Sequence, residues 1–276
     1  MRGIFCLVFS LSVTVVLGQF SFHMGTGTES ISLGRTSVTL TGPSSIFGNQ
    51  GALIESSTFS LSANASRRYN INGLDLFSVG LIWPHSSGTF GFSILQYGLE
   101  GYKEQKLGLA YARKISKGTG IGVQFNYLNL SQLEFGNHGY FSLEVGLYSR
   151  LTDKIYLGAH IFAPGESRIE GDNGVPVRMR IGPSITFAEN TIAYIEVEKT
   201  IDLDPILKFG MAYRMNEVFQ VRLGFIPEPS EFSFGFGYAF GGSFKIDGGF
   251  MYDQRLGTTP SAGFHYIAPS QTTDEP

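Results

Sequence analysis

The chain has 276 residues, a net charge of −3 and a sequence pI near 6.0, with 36 glycines and 14% aromatic residues. Only 16% of its residues are charged, against roughly 25% in ordinary soluble domains. The chain has no basic patch, which argues against nucleic acid as a partner. The single cysteine, Cys6, lies in an apolar N-terminal run, so disulfide and thiol chemistry are excluded from the rest of the chain.

Residues 1–18 have the pattern of a secretory signal peptide. Arg2 precedes an apolar run from Ile4 to Leu17, and the small residue Gly18 comes directly after it. The run is too short and wrongly flanked for a membrane-spanning helix, so we predict cleavage after Gly18. No later segment offers about 20 continuous apolar residues, which leaves a closed β-barrel as the means of crossing a membrane.

Residues 19–56 differ in pattern from the rest of the mature chain, because glycine, serine and threonine recur there without strand alternation. We interpret them as an N-terminal plug segment, folded into or under the lumen of a barrel.

From residue 57 onward the chain alternates between large and small side chains. The clearest case is Phe232–Phe240, where aromatic rings occupy every second position and Ser, Gly or Ala lies between them. Successive strand side chains point to opposite faces, so one face is bulky and the other nearly bare. We predict an all-β, transmembrane antiparallel β-barrel of about 14 strands over residues 57–267, with lipid against the bulky face. The predicted strands are 57–66, 75–83, 88–97, 103–113, 120–130, 139–150, 154–162, 176–187, 191–199, 206–214, 218–226, 231–240, 243–252 and 259–267.

The connections alternate in length, which supports the strand count. Those after odd-numbered strands are longer, as expected of outer loops, and residues 163–175 form the longest. Those after even-numbered strands are mostly short, as expected of periplasmic turns. Residues 268–276 are predicted to be a disordered periplasmic tail.

Most ionisable residues within the predicted strands fall on the small, polar side, which indicates a lumen. They could form a charged eyelet that selects a solute, or a mutually neutralising network that fills a narrow barrel. We favour the network, because buried charges must be paired. Its predicted members are Glu144, Arg150, Arg178, Arg180, Glu196, Glu198, Lys208, Arg222, Lys245 and Asp247.

Several outward aromatic residues lie near strand ends and are typical of the girdles of outer-membrane barrels. As core residues of a soluble sandwich they would need a second sheet to cover them. The predicted girdle comprises Trp83, Tyr111, Tyr127, Tyr238, Phe240, Tyr252 and Tyr266.

Catalytic and cofactor motifs are absent from the sequence. His160 and His265 fall on lumen faces without the spacing or cysteine partners of a metal site, so we assign no metal. Glu144 and Glu196 could be paired as carboxylates, but no nucleophile motif or phosphate-binding loop accompanies them. We therefore expect neither enzymatic activity nor a cofactor.

The segment 30–55 resembles the segment that opens the barrels of the long-chain fatty-acid transporter (FadL-like) superfamily. The resemblance rests on Leu33 and Gly34, on Val38–Leu40, and on the run Asn49, Gln50, Gly51, Ala52 and Leu53. Gln50 and Gly51 depart from the Pro and Ala that are usual there. Within the superfamily, this run and the stretches 107–114 and 262–268 are most similar to the Bacteroidetes branch, related to type IX secretion system barrel subunits (PorV/PorQ-like).

The resemblance implies a fourteen-stranded barrel whose lumen is plugged by the N-terminal segment, including Leu33, Gly34, Asn49, Gln50 and Gly51. Some members of the superfamily pass hydrophobic molecules, and others are docking subunits of export machinery. Because the chain is short and its lumen charged, we predict an accessory subunit of a protein-export (type IX secretion-like) or outer-membrane protein assembly complex in the bacterial outer membrane. Its partners would be outer-membrane lipid and other outer-membrane or periplasmic proteins. The alternative is a passive transporter of small hydrophobic molecules.

Overall fold

The computed structural model describes residues 26–99, 101–133, 136–162, 176–201 and 203–269. The predicted signal peptide, the loop 163–175 and the tail beyond residue 269 lie outside the described residues. Within these ranges, no helix has the length and apolar character needed to cross a membrane.

Fourteen antiparallel strands form the wall, which confirms the predicted fold class. Their ends differ from the predicted ones by at most three residues, as at β1, which begins at Ser60 instead of residue 57. The strands are β1 (Ser60–Arg67), β2 (Asp75–His85), β3 (Gly88–Leu99), β4 (Tyr102–Ser116), β5 (Thr119–Gln132), β6 (Gly136–Arg150), β7 (Ile155–Phe162), β8 (Arg178–Ala188), β9 (Thr191–Thr200), β10 (Ile206–Arg214), β11 (Phe219–Ile226), β12 (Glu231–Phe240), β13 (Phe244–Asp253) and β14 (Gly257–Ile267).

The strands close into a ring. Each pairs with its neighbours in the chain, and β1 pairs with β14 in the register Ser60 to Ile267 and Ser66 to Ser261. Closure leaves no free sheet edge, which a bilayer requires because its core offers no water to unpaired backbone groups.

The outer wall is apolar and the inner wall is small or polar. On β12 the rings of Phe232, Phe234 and Phe236 point outward and are exposed, while Ser233 and Gly235 are buried in the lumen. The same alternation runs through the other strands. An exposed belt of this kind is the surface that hydrocarbon covers in outer-membrane barrels.

Residues 26–56, here called the lumen segment, lie inside the ring. They form a short helix, α1 (Thr28–Ser32), and two 3₁₀ turns, Pro43–Phe47 and Gln50–Glu55. The second turn begins after Asn49, whose side-chain oxygen accepts a hydrogen bond from Gly51 N at 2.9 Å. This is the usual way in which asparagine satisfies a helix N-terminus.

Inward glycines make room for the lumen segment. A Cβ added to Gly146 would lie 2.1 Å from Asn49 Oδ1, and one added to Gly158 would lie 2.1 Å from Val38 O. No side chain fits at such distances. Part of the high glycine content of the chain therefore serves close approach between the barrel wall and the segment inside it.

Candidate functional site

The lumen is the one interior space that the described fold offers, and its first feature is a set of polar contacts that hold the lumen segment. Glu196 accepts hydrogen bonds from the backbone N–H groups of Ser37 at 2.7 Å and Val38 at 2.9 Å. Lys208 Nζ donates to Glu196 at 3.0 Å and to Glu198 at 2.7 Å. A buried ion pair on β9 and β10 thus anchors the backbone of the segment.

A second polar cluster surrounds Glu144 on β6. Lys106 forms a salt bridge with this carboxylate, and His160 Nε2 lies 2.9 Å from it. Gln50 of the lumen segment donates to Glu144 at 3.1 Å and to Gln124 at 3.1 Å. Gln50, which departs from the superfamily pattern, is therefore fully engaged with the barrel wall.

Arg180 on β8 connects this cluster to the lumen segment. Its guanidinium donates to Ser37 Oγ at 2.5 Å and to Gly48 O at 2.6 Å. It also lies 2.8 Å from His160 Nδ1.

A third polar cluster holds α1. Arg222 forms salt bridges with Glu29 at 3.1 Å and with Asp247 at 2.7 Å, and His265 Nε2 lies 2.7 Å from Asp247. Burial alone would raise the pKa of Glu29, but Arg222 and Lys245 outweigh it and hold the pKa below its ordinary value of 4.5. The helix is thus fixed by an ionised carboxylate.

The predicted charge network divides into these clusters, with Arg178 joining the first through Glu198 at 3.5 Å and Arg150 as the one exception. Arg150 is the last residue of β6, its side chain is 46% exposed, and its nearest acid is Glu55 at 3.8 Å. It lies at a short turn and pairs there with Glu55 of the lumen segment, so its membership of the lumen charge network stays a prediction. Sequence reasoning missed Lys106. Lys106 lies two residues before the inward-facing Gly108, and residues two apart on a strand share a face, so the sequence already indicated that Lys106 points inward. Whether the network serves only to fill the lumen stays a prediction.

The second feature of the lumen is an apolar patch that the sequence analysis did not identify. Here called the upper cluster, it comprises the buried side chains of Leu76, Leu95, Tyr97, Leu128 and Phe162. They project inward from β2, β3, β5 and β7, close to the longer connections. At these inward positions the sequence has bulky apolar residues instead of small or polar ones. That departure was the signal from which the cluster could have been predicted.

A lower cluster continues the apolar surface toward the short turns. It joins lumen-segment and wall side chains, and Phe47 packs against both clusters. A cavity of about 30 Å³ is lined by the apolar Phe47, Leu95 and Phe162 and by charged residues of the polar clusters, among them Lys106, Glu144 and Arg180. The lower cluster comprises Ile46, Ala52, Leu53, Ile54, Ile82, Ala110, Ala112 and Tyr148.

The predicted girdle residues all lie on the outer wall. Trp83 and Tyr111 flank Phe90 at ring distances of 6.2 and 5.2 Å, next to the short turns. At the same end Tyr238 stacks on Phe240 at 6.2 Å, and Tyr266 lies 5.4 Å from Phe244. Tyr127 and Tyr252 lie toward the opposite end. Their role as a membrane-interface girdle stays a prediction.

No protein-family model matches the chain, and no curated protein matches it by sequence. Solved structures match its fold. The toluene transporter TbuX of Ralstonia pickettii has 14% sequence identity and a TM-score of 0.67, covering 90% of this chain and 99% of that one. The toluene transporter TodX of Pseudomonas putida has 10% identity and a TM-score of 0.65, covering 88% and 96%. A Pseudomonas aeruginosa FadL homologue has 14% identity and a TM-score of 0.57, covering 88% and 97%. These structural neighbours are FadL-family channels and transporters.

The comparison contradicts the prediction of a protein-export or assembly subunit. TbuX and TodX, which share this fold, are toluene transporters, which is the finding against that prediction and fits a non-enzymatic protein at that coarse level. The prediction rested on a lumen that is small and charged. It did not foresee that inward apolar residues, far apart in sequence, converge on one side of the ring.

Proposed function

We propose that the chain is a passive channel for small hydrophobic molecules in the bacterial outer membrane. The observation that carries this proposal is the upper cluster, an apolar surface at the end of the lumen that lies next to the longer connections. Its rim, formed by the half-buried Leu74, Tyr102, Leu130 and Tyr140, extends it toward the longer connections.

Hydrophobic molecules need such a surface because a polar pore gives them no favourable contact. Each 100 Å² of apolar area removed from water is worth about 2.5 kcal/mol, enough to draw a one-ring hydrocarbon out of solution. The lumen segment and the paired charges around it leave little room for water, which fits a channel that excludes ions. The fold neighbours TbuX and TodX, which transport toluene, support the same class of solute.

The outer-membrane location is supported by the closed ring and its apolar outer belt. The role of residues 19–56 as a plug belongs to this proposal as well, supported by the position of residues 26–56 inside the lumen. The finer resemblance to the Bacteroidetes branch stays a prediction from sequence.

The test is uptake of radiolabelled toluene by cells in which this chain is the only hydrocarbon channel of the outer membrane. Leu95→Glu places a charge in the upper cluster and should reduce uptake to the level of cells without the chain. Leu256→Glu is the matched control, because Leu256 is 54% exposed in the turn between β13 and β14. It should leave uptake unchanged.

Heat-modifiable migration of the purified barrels should show that both variants are folded and equally abundant. Equal uptake by wild type and Leu95→Glu would contradict the proposal. So would wild-type uptake of a labelled sugar at the same rate as toluene, because that result indicates a polar pore.

A further inference from the structure

The lumen segment contacts the barrel in two different ways. The described hydrogen bonds and ion pairs that residues 27–56 make with the wall go to β1 and to β5–β13. Examples are Thr28 N to Asn64 at 3.1 Å and Gly34 N to Ser233 at 2.9 Å. Toward β2–β4 the segment presents the apolar side chains of Ile46, Phe47 and Leu53. This apolar contact is here called the seam.

The seam is continuous from one end of the barrel to the other. It starts at the upper cluster, passes Phe47 and continues along the lower cluster. At the short-turn end, Ile54 and Ala112 of the lower cluster also line a cleft of about 300 Å³ beside the turn between β2 and β3. An apolar molecule could therefore follow apolar contacts along most of the height of this part of the wall. The Lys106–Glu144 ion pair borders the path at the upper cluster, where Lys106 Nζ lies 5.5 Å from the Phe162 ring centroid, and Arg113 and Lys114 border it at the cleft.

Phe47 occupies the narrow point of this path. Its ring packs against both clusters and lies so close to Gly80 that a Cβ added there would be 2.8 Å from Phe47 Cζ. The ring is only half-buried, and it lines the cavity of about 30 Å³ together with charged side chains such as Lys106, Glu144 and Arg180. Phe47 ends its 3₁₀ turn, and the carbonyl of the next residue, Gly48, accepts from Arg180 at 2.6 Å. The polar anchors therefore fix the backbone beside the ring but make no hydrogen bond to the ring itself.

We propose that the seam between the lumen segment and β2–β4 is the permeation path, and that Phe47 is the gate that sets its size limit. The inference rests on the proposed function and refines its solute class. The space that the Phe47 ring itself fills on this path has the size of one phenyl group. The expected solutes are therefore uncharged molecules with the cross-section of a single aromatic ring.

The experiment compares the uptake of toluene and of naphthalene by the same cells, together with ion conductance of the purified full-length protein in planar bilayers. Wild type should take up toluene and largely exclude naphthalene. Phe47→Ala should raise naphthalene uptake severalfold without creating ion conductance. Phe47→Trp, which keeps an apolar ring but enlarges it, should lower toluene uptake severalfold.

Asn49→Ala is the matched control within the segment, two residues from the gate. Asn49 Nδ2 donates to Val38 O at 2.6 Å and to Leu147 O at 2.9 Å, so its loss loosens the polar side and should produce ion conductance. If Phe47→Ala also produced ion conductance, general loosening of the segment would explain its uptake and the gate would be refuted.

The two proposals fail in distinguishable ways. If the ratio of naphthalene to toluene uptake did not change in either Phe47 variant while Leu95→Glu still abolished uptake, the gate would be wrong and the channel would stand. If wild type took up neither compound above the background of cells without the chain, the channel itself would be wrong.

Discussion

The two sides of the lumen segment are held against the barrel wall by different kinds of contact. Toward β5–β13 the segment is held by short, directional contacts, such as those of Ser37 and Val38 to Glu196, in addition to the apolar packing of Leu33 and Leu40 with Tyr194. Toward β2–β4 it packs through Ile46 and Phe47 without a described hydrogen bond to those strands. Directional bonds to buried charges define one position, whereas apolar contacts tolerate repacking. The same segment can therefore be immobile on one side and permissive on the other.

The largest expected effect comes from removing an anchor of the polar side. Glu196→Ala deletes the acceptor of two backbone N–H groups and one partner of Lys208, and should lower the free energy of unfolding by about 3–5 kcal/mol. Urea-induced unfolding in detergent micelles measures it. Glu217→Ala, in an exposed turn, is the matched control and should change stability by less than about 0.5 kcal/mol.

Adding Lys208→Met to Glu196→Ala should recover part of the loss, because the uncompensated charge is then removed. If Glu196→Ala alone were as stable as the Glu217→Ala control, the ion pair would not anchor the segment. The contrast between the two sides of the segment would then be removed.

A pair of glycine variants compares the two sides directly. An added methyl group at Gly146 would meet Asn49 Oδ1 at 2.1 Å and Gly51 N at 2.8 Å. One at Gly80 would meet side-chain atoms, Ile46 Cγ2 at 2.5 Å and Phe47 Cζ at 2.8 Å, and no backbone atom among its nearest neighbours. Gly146→Ala should therefore cost about 1–3 kcal/mol, and Gly80→Ala less, because side chains shift more easily than the backbone of Gly51. Equal unfolding free energies for the two variants would argue against a permissive seam.

The smallest expected effect is a pH dependence at α1. The pKa of Glu29 is lowered in the folded chain, so its charge stabilises the fold above the ordinary pKa of 4.5. That contribution is lost as the pH falls through the folded pKa. The difference in unfolding midpoint between wild type and Glu29→Gln should thus be constant near neutral pH and shrink below pH 4.5. Glu217→Gln should show no such convergence, and a difference for Glu29→Gln that did not change with pH would assign the effect to packing.

The sequence by itself determined the strands, their number and the direction in which each side chain points. A strand repeats every two residues, so neighbours such as Phe234 and Gly235 reveal the two faces without knowledge of the rest of the fold. The ring and its lipid-facing belt result from that local rule, and the strand ends were predictable to within three residues.

Only the tertiary structure decided which inward residues meet. Ring closure around the lumen segment brings together residues that are far apart in sequence, such as Leu76 with Phe162 and Lys106 with Glu144. The lumen segment itself lacks the two-residue period of a strand, so its position could not be predicted from that period. Counting charges along the chain indicated a closed, polar lumen, but the function depends on how charges and apolar groups are distributed around the ring. That distribution is set by contacts between distant parts of the chain, and so the choice between a docking subunit and a channel could not be read from local pattern.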